Sequence, residues 1–228
     1  MTKKSLSGFD KTELSNLMKY FGSEPRVFNS EAQFQFELGW RIKEHFDCEV
    51  KFEELSRVYE GKKDYTDLIL QKDSLRIAIE LKYKTAEYED EVENILLKNH
   101  GAADLGRYDF MWDIHRVQTL TGLEKADGVR IRCNRDYAVI LTNDVHYWDD
   151  KNKRDCIDRD FLIGGDRIIK KGHHQWYTTE GEVGLPSTVE GTSRQVPIEI
   201  TTNIMCKWED YCITKEKNGV FRFMVVEV

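Results

Sequence analysis

The segment DYTDLILQKDSLRIAIELKYKT, Asp64 to Thr85, constrains this chain more than any other. Two alternating runs flank the turn-forming cluster Lys72-Asp73-Ser74, a pattern that predicts a β-hairpin. Pairing across a Gln71–Ser74 turn sets Leu70 opposite Leu75 and Asp67 opposite Ala78, with Glu80 the diagonal neighbour. Strand side chains alternate, so Leu68, Leu70, Leu75, Ile77, Ile79 and Leu81 share one face. Asp67, Ile69, Ala78, Glu80 and Lys82 share the other. The first face is a complete apolar layer and needs a cover. The second carries two carboxylates roughly 7 Å apart with an ammonium two residues further along.

The flanking sequence supplies covers. A short helix is expected from Lys11 to Phe21, within a mixed-charge lead-in over residues 1–28. NSEAQFQFELGWRIKEHF predicts a helix that Ser30 caps, with Glu31 favourably placed at its positive end. Glu31, Phe34, Gln35, Leu38 and Ile42 fall on one side of that helix, so Glu31 points with the apolar stripe. EVKFEEL reads as a further strand, and the acidic run AEYEDEVEN as a solvated loop or helix start. A second long helix is expected from Ala103 to Leu123, with Phe110, Ile114, Val117 and Leu120 inward. DYAVILTND reads as a buried central strand and FRFMVVEV as a closing one. From about residue 145 the chain has Gly-containing loops and short strands, expected as a β-rich extension of one domain over 29–228. The order of helix, strands, helix and strand predicts an α/β sandwich around a mixed sheet.

Composition narrows the function classes. The chain has 228 residues, 34 Lys+Arg and 41 Asp+Glu, for a net charge of −7. That balance opposes a nucleic-acid coat protein, whose affinity comes from neutralising phosphates. It is compatible with a nuclease, because divalent ions add positive charge where acids cluster. Five cysteines without a C-x-x-C pair read as reduced thiols, not a disulfide or zinc framework. His173-His174 lacks cysteines at zinc-finger spacing and reads as a polar loop. Without an apolar leader or a long apolar run, a cytoplasmic protein with no membrane partner is expected. Phosphate-binding P-loops, nucleophile elbows and dinucleotide fingerprints are absent from the sequence.

An E-x-K triplet on a strand is common, and Glu80 with Lys82 can form an ordinary surface ion pair. The preceding Asp67, the small neighbour Ala78 and the inward Glu31 point further, to a shared divalent cation. Mg²⁺ takes oxygen ligands and keeps several waters, so one or two carboxylates and a phosphate suffice.

On Asp67 in YTDLIL and Glu80-Leu81-Lys82 in IAIELKYK, the chain resembles the PD-(D/E)XK nuclease superfamily. Thr66 stands where the signature has proline. The segments LKNHGAADLGRYDFMWDIHRV, YAVILTND followed by YW, and KWEDYC with FRFMVVEV resemble uncharacterised bacterial members. The resemblance implies a restriction-endonuclease-like three-layer α/β/α sandwich and metal-dependent cleavage of phosphodiesters, DNA foremost. It implies Asp67, Glu80 and Lys82 as catalytic residues, with Asp67, Glu80 and Glu31 holding Mg²⁺, for which Mn²⁺ can substitute.

Lys98 and Arg107 flank the start of the second long helix and are expected to assist a phosphate contact there. Lys170 and Lys171, near Trp176 and Tyr177, are expected to grip a strand by charge and stacking. Lysines guarding a strand edge explain them equally well, and Arg130, Arg132 and Arg135 form a second, equally unspecific basic group. Asp113 and Arg116 read as an ion pair within the helix, and Gln35 as a helix–sheet hydrogen-bonding residue. A homodimer would suit cutting both strands of a duplex. The other reading is a non-catalytic nucleic-acid- or protein-binding module of the same fold, in a defence or regulatory assembly.

Overall fold

Alternation in the hairpin sets the whole architecture. In the computed structural model, which describes residues 2–24, 26–121, 128–149 and 155–228, the hairpin consists of β2 (Lys62–Lys72) and β3 (Leu75–Lys84). The outer strand β1 (Glu49–Tyr59) pairs antiparallel with β2. A helix then crosses to β4 (Arg135–Thr142), which lies parallel to β3. The last strands, β5 (Glu209–Ile213) and β6 (Val220–Glu227), close a six-stranded mixed sheet of order β5-β6-β4-β3-β2-β1. The fold is therefore mixed α/β, as its pattern predicts.

The hairpin register differs from expectation by two residues. Lys72 pairs with Leu75, Leu70 with Ile77 and Leu68 with Ile79. Asp73 takes a left-handed backbone (φ 52°), which lets a tight Asp73-Ser74 turn replace the longer expected one. An even shift leaves every side chain on its predicted face. It does, however, bring Asp67 directly into line with Glu80.

Helices α1 (Lys11–Ser23) and α2 (Glu31–His45) cover the first face. Leu14, Met18, Phe21, Phe34, Leu38 and Ile42 form one core with Leu68, Leu70, Ile77, Ile79 and Leu81. Ser30 caps α2 by accepting from the N–H of Gln33. Within the expected lead-in, Leu6, Phe9, Val27 and Phe28 are buried in this same core. Gly22 permits this approach, since a Cβ there would sit 1.7 Å from the carbonyl oxygen of Tyr211 on β5.

Helix α3 (Ala103–Thr121) covers the opposite face. Val117 and Leu120 pack on Ile69 and Ala78, while Phe110 and Ile114 meet Ala138, Ile140, Met224 and Val226. Leu123, in the expected extent of this helix, lies outside the described residues. The acidic run forms a small hairpin, Tyr88–Asp90 with Ile95–Leu97, in place of a helix start. The region after residue 145 contributes short ribbons beside α3, but its final strands belong to the central sheet. Among the described residues, no helix is long and apolar enough to cross a membrane.

Candidate functional site

The paired part of the hairpin ends at Leu68 and Ile79. Beyond it β2 continues along β1, and β3 continues along β4, so the two strands separate at Asp67 and Glu80. Separation removes the backbone partners of the N–H groups on one edge of β3. Side chains replace them. Asp67 Oδ2 accepts from Leu81 N at 2.6 Å, Glu31 Oε2 from Tyr83 N at 2.7 Å, and His100 Nδ1 from Thr85 N at 3.1 Å. Glu31 reaches this edge because the capped first turn of α2 lies over it. Gln35, one turn on, donates to the carbonyl oxygen of Asp67 at 2.8 Å and to Glu53 at 2.9 Å, the helix–sheet role expected of it.

On the α3 face, Asp67 and Glu80 are in hydrogen-bonding contact. Helix α3 adds Asp113 and Arg116. Arg116 Nη2 lies 2.8 Å from Glu80 Oε1, and Lys82 Nζ lies 2.9 Å from Asp113 Oδ2. Arg116 also approaches Asp113 at 3.6 Å and donates to the carbonyl oxygen of Tyr65. The expected pairing of Asp113 with Arg116 is present, but it is the weaker part of a network tied to the sheet. Sequence reasoning placed these two residues on one helix turn and missed their partners across the core. Their only signal was charge on an otherwise apolar helix face.

This small volume is overcharged. Glu31, Asp67, Glu80 and Asp113 face Lys82 and Arg116, four carboxyls against two cations. Burial first, and then the neighbouring acids Asp113 and Glu31, push Asp67 up to about 6 against the hydrogen bond from Leu81. Burial and then the Asp67 charge raise Glu80 well above the carboxylate range despite Arg116. Glu80 is 3% exposed, and the Asp67–Glu80 pair titrates as one coupled unit. Burial opposes the charge on Lys82, but Asp113 and then Glu31 outweigh it and raise its pKa. Lys82 is a fixed cation in this arrangement.

Among the described residues, no three His, Cys, Asp or Glu side chains converge as a ready-made metal group. The donor set nevertheless suits Mg²⁺: the charges of the adjacent carboxyls Asp67 and Glu80 disfavour each other in this buried place, and phosphate and water oxygens complete such a shell. Glu31 accepts from Tyr83 N through one carboxylate oxygen.

The expected nucleic-acid contacts fare unequally. Arg107 is not a phosphate ligand: it is 1% exposed, its guanidinium paired with Asp158 and donating to the carbonyl oxygen of His146. Burial of an arginine requires such a partner, and Asp158 arrives only through the tertiary fold. Trp176 is likewise buried against Phe161 and Tyr108, and Tyr177 stacks on Arg159, so neither ring is free to hold a base. Lys170 and Lys171 are exposed between the short strands beside α3, outside the carboxylate cluster. Lys98 is exposed at the cavity that Glu31 also lines. Comparison of the chain with protein-family models, curated proteins and solved structures finds no match.

Proposed function

We propose that the protein is a Mg²⁺-dependent nuclease that hydrolyses phosphodiester bonds, with DNA as its first substrate, on a restriction-endonuclease-like scaffold. The observation that carries this reading is the meeting of Asp67 and Glu80 where β2 and β3 part, with Lys82 on the same face. The crossing from β3 through α3 to a parallel β4 agrees with that scaffold.

Asp67 and Glu80 would hold the ion; Glu31, expected as a further ligand, does not converge with them into a three-residue group among the described residues. Bound Mg²⁺ supplies a lowered water pKa and positive charge for the phosphoryl oxygens. Arg116, 2.8 Å from Glu80, would stabilise the Glu80 carboxylate that such an ion needs. Lys82 remains protonated beside Asp113, so it orients the attacking water and offsets charge on the phosphoryl oxygens, and does not remove a proton. Ala78, paired with Ile69 and packed on Val117 and Leu120, forms the apolar neighbour of the site under α3.

The test is cleavage of plasmid, linear and single-stranded DNA and of RNA with Mg²⁺, Mn²⁺ or EDTA. Wild-type cleavage should vanish in EDTA and in Asp67→Ala and Lys82→Ala, while Cys48→Ser should cleave normally. Undiminished cleavage by Asp67→Ala would sink the assignment.

The burial of Glu80 and Asp113 in pairs with Arg116 and Lys82 favours one other reading, a non-catalytic module whose charged network only fixes α3 on the sheet. Calorimetric Mn²⁺ titration separates the two. A nuclease site binds Mn²⁺ and loses it with Glu80→Ala; a structural network binds none.

A further inference from the structure

The unpaired edge of β3 does not end at the carboxylates. Leu81 and Thr85 are four residue steps apart, about 13 Å of strand, and the acceptors along it run Asp67, Glu31, His100. A cavity of about 480 Å³ opens at the far end, lined by Ser30, Glu31, Lys84, Thr85, Lys98 and His100 among others. We propose that this cavity binds a backbone phosphate of the substrate strand, flanking the Asp67–Glu80 centre, with His100, Lys98 and Lys84 as its donors. The identity of that ligand rests on the nuclease reading; the anion site itself does not.

Thr85 fixes the loop that carries two of the donors. Its Oγ1 donates to the carbonyl oxygen of Lys98 at 2.7 Å, and its own carbonyl oxygen accepts from His100 N at 2.9 Å. Because Thr85 N donates to His100 Nδ1, the neutral imidazole must carry its proton on Nε2. Burial and then Lys84 lower the His100 pKa, so at neutral pH the ring offers one N–H and no competing charge. Lys84 is only loosely engaged, with Asp109 at 3.8 Å, and Lys98 is exposed. Three donors, with Glu31 in the cavity lining and Asp109 beside Lys84, suit an anion with several oxygens. Phosphate has that form.

Two readouts test the proposal. The first follows the ring resonances of His100, assigned by their loss in His100→Ala, as inorganic phosphate is added. The second is the affinity of a fluorescent single-stranded oligonucleotide in EDTA, where no cleavage occurs. Phosphate should shift the His100 resonances. His100→Ala and Lys98→Ala should each weaken oligonucleotide binding about tenfold, the scale of one charge-assisted hydrogen bond. Lys98 is on the surface, so Lys98→Ala keeps the test sound if His100→Ala fails to fold. Unshifted resonances, or full-strength oligonucleotide binding by both variants, would overturn the subsite while leaving the nuclease reading intact. A phosphate-induced shift in a protein that neither binds nor cleaves oligonucleotides supports the anion site and removes the nuclease reading.

Discussion

Replacing Asp67 by Asn should stabilise the protein at alkaline pH while abolishing the proposed cleavage. Asp67 rises from its ordinary 3.8 to about 6 on folding, because burial and nearby acids disfavour its charge. At roughly 1.4 kcal/mol per pH unit, keeping it ionised in the folded protein costs about 3 kcal/mol. Asp67 retains some solvent contact, so a gain of about 2 kcal/mol is expected for the variant. The sign follows from linkage. A raised carboxyl contributes stability in full below pH ~4 and loses it as pH rises through about 6. The advantage of Asn should therefore be absent at pH 4 and complete by pH 8. Asp136, also pushed up to about 6 by burial, titrates in both proteins and cancels in the difference. The Asp67 and Glu80 titrations are coupled, so the difference curve belongs to the pair. The Asn amide oxygen can still accept from Leu81, which preserves the local geometry. The assay is urea unfolding at several pH values, with and without Mg²⁺. Mg²⁺ should stabilise wild type and leave Asp67→Asn unchanged. A variant less stable than wild type at pH 8 would refute the reasoning and make Asp67 a structural acceptor for Leu81.

Two other perturbations test the frame around the site. Arg107→Ala strands the buried Asp158 carboxylate and should cost about 3–5 kcal/mol in denaturant unfolding, with any oligonucleotide affinity of the wild type retained per folded molecule; a loss of such affinity would restore Arg107 as a phosphate contact. Gly22→Ala drives a methyl into the Tyr211 carbonyl, which belongs to backbone and cannot swing aside. It should lower stability by about 1–3 kcal/mol by thermal unfolding, and an unchanged melting temperature would contradict the placement of α1 against β5.

The hairpin faces, the capped start of α2, the inward stripe of α3 and the buried β4 were legible in the sequence because each depends on a local period. A side chain's face on a strand follows from parity alone, and parity survived even a two-residue error in register. The same locality limits what can be read. Whether Asp67 opposes Ala78 or Glu80 depends on turn geometry, and the left-handed Asp73 settled it. That Glu31 and His100 serve the same strand edge depends on where β2 leaves β3. Arg107 and Trp176 carry the types of a nucleic-acid contact, yet the packing around α3 buries both. Sequence determined which faces were apolar and which carried charge, since that is written in alternation. Tertiary structure alone decided which charges meet, because a carboxylate's partner and pKa are set by side chains that only folding brings within a few ångströms.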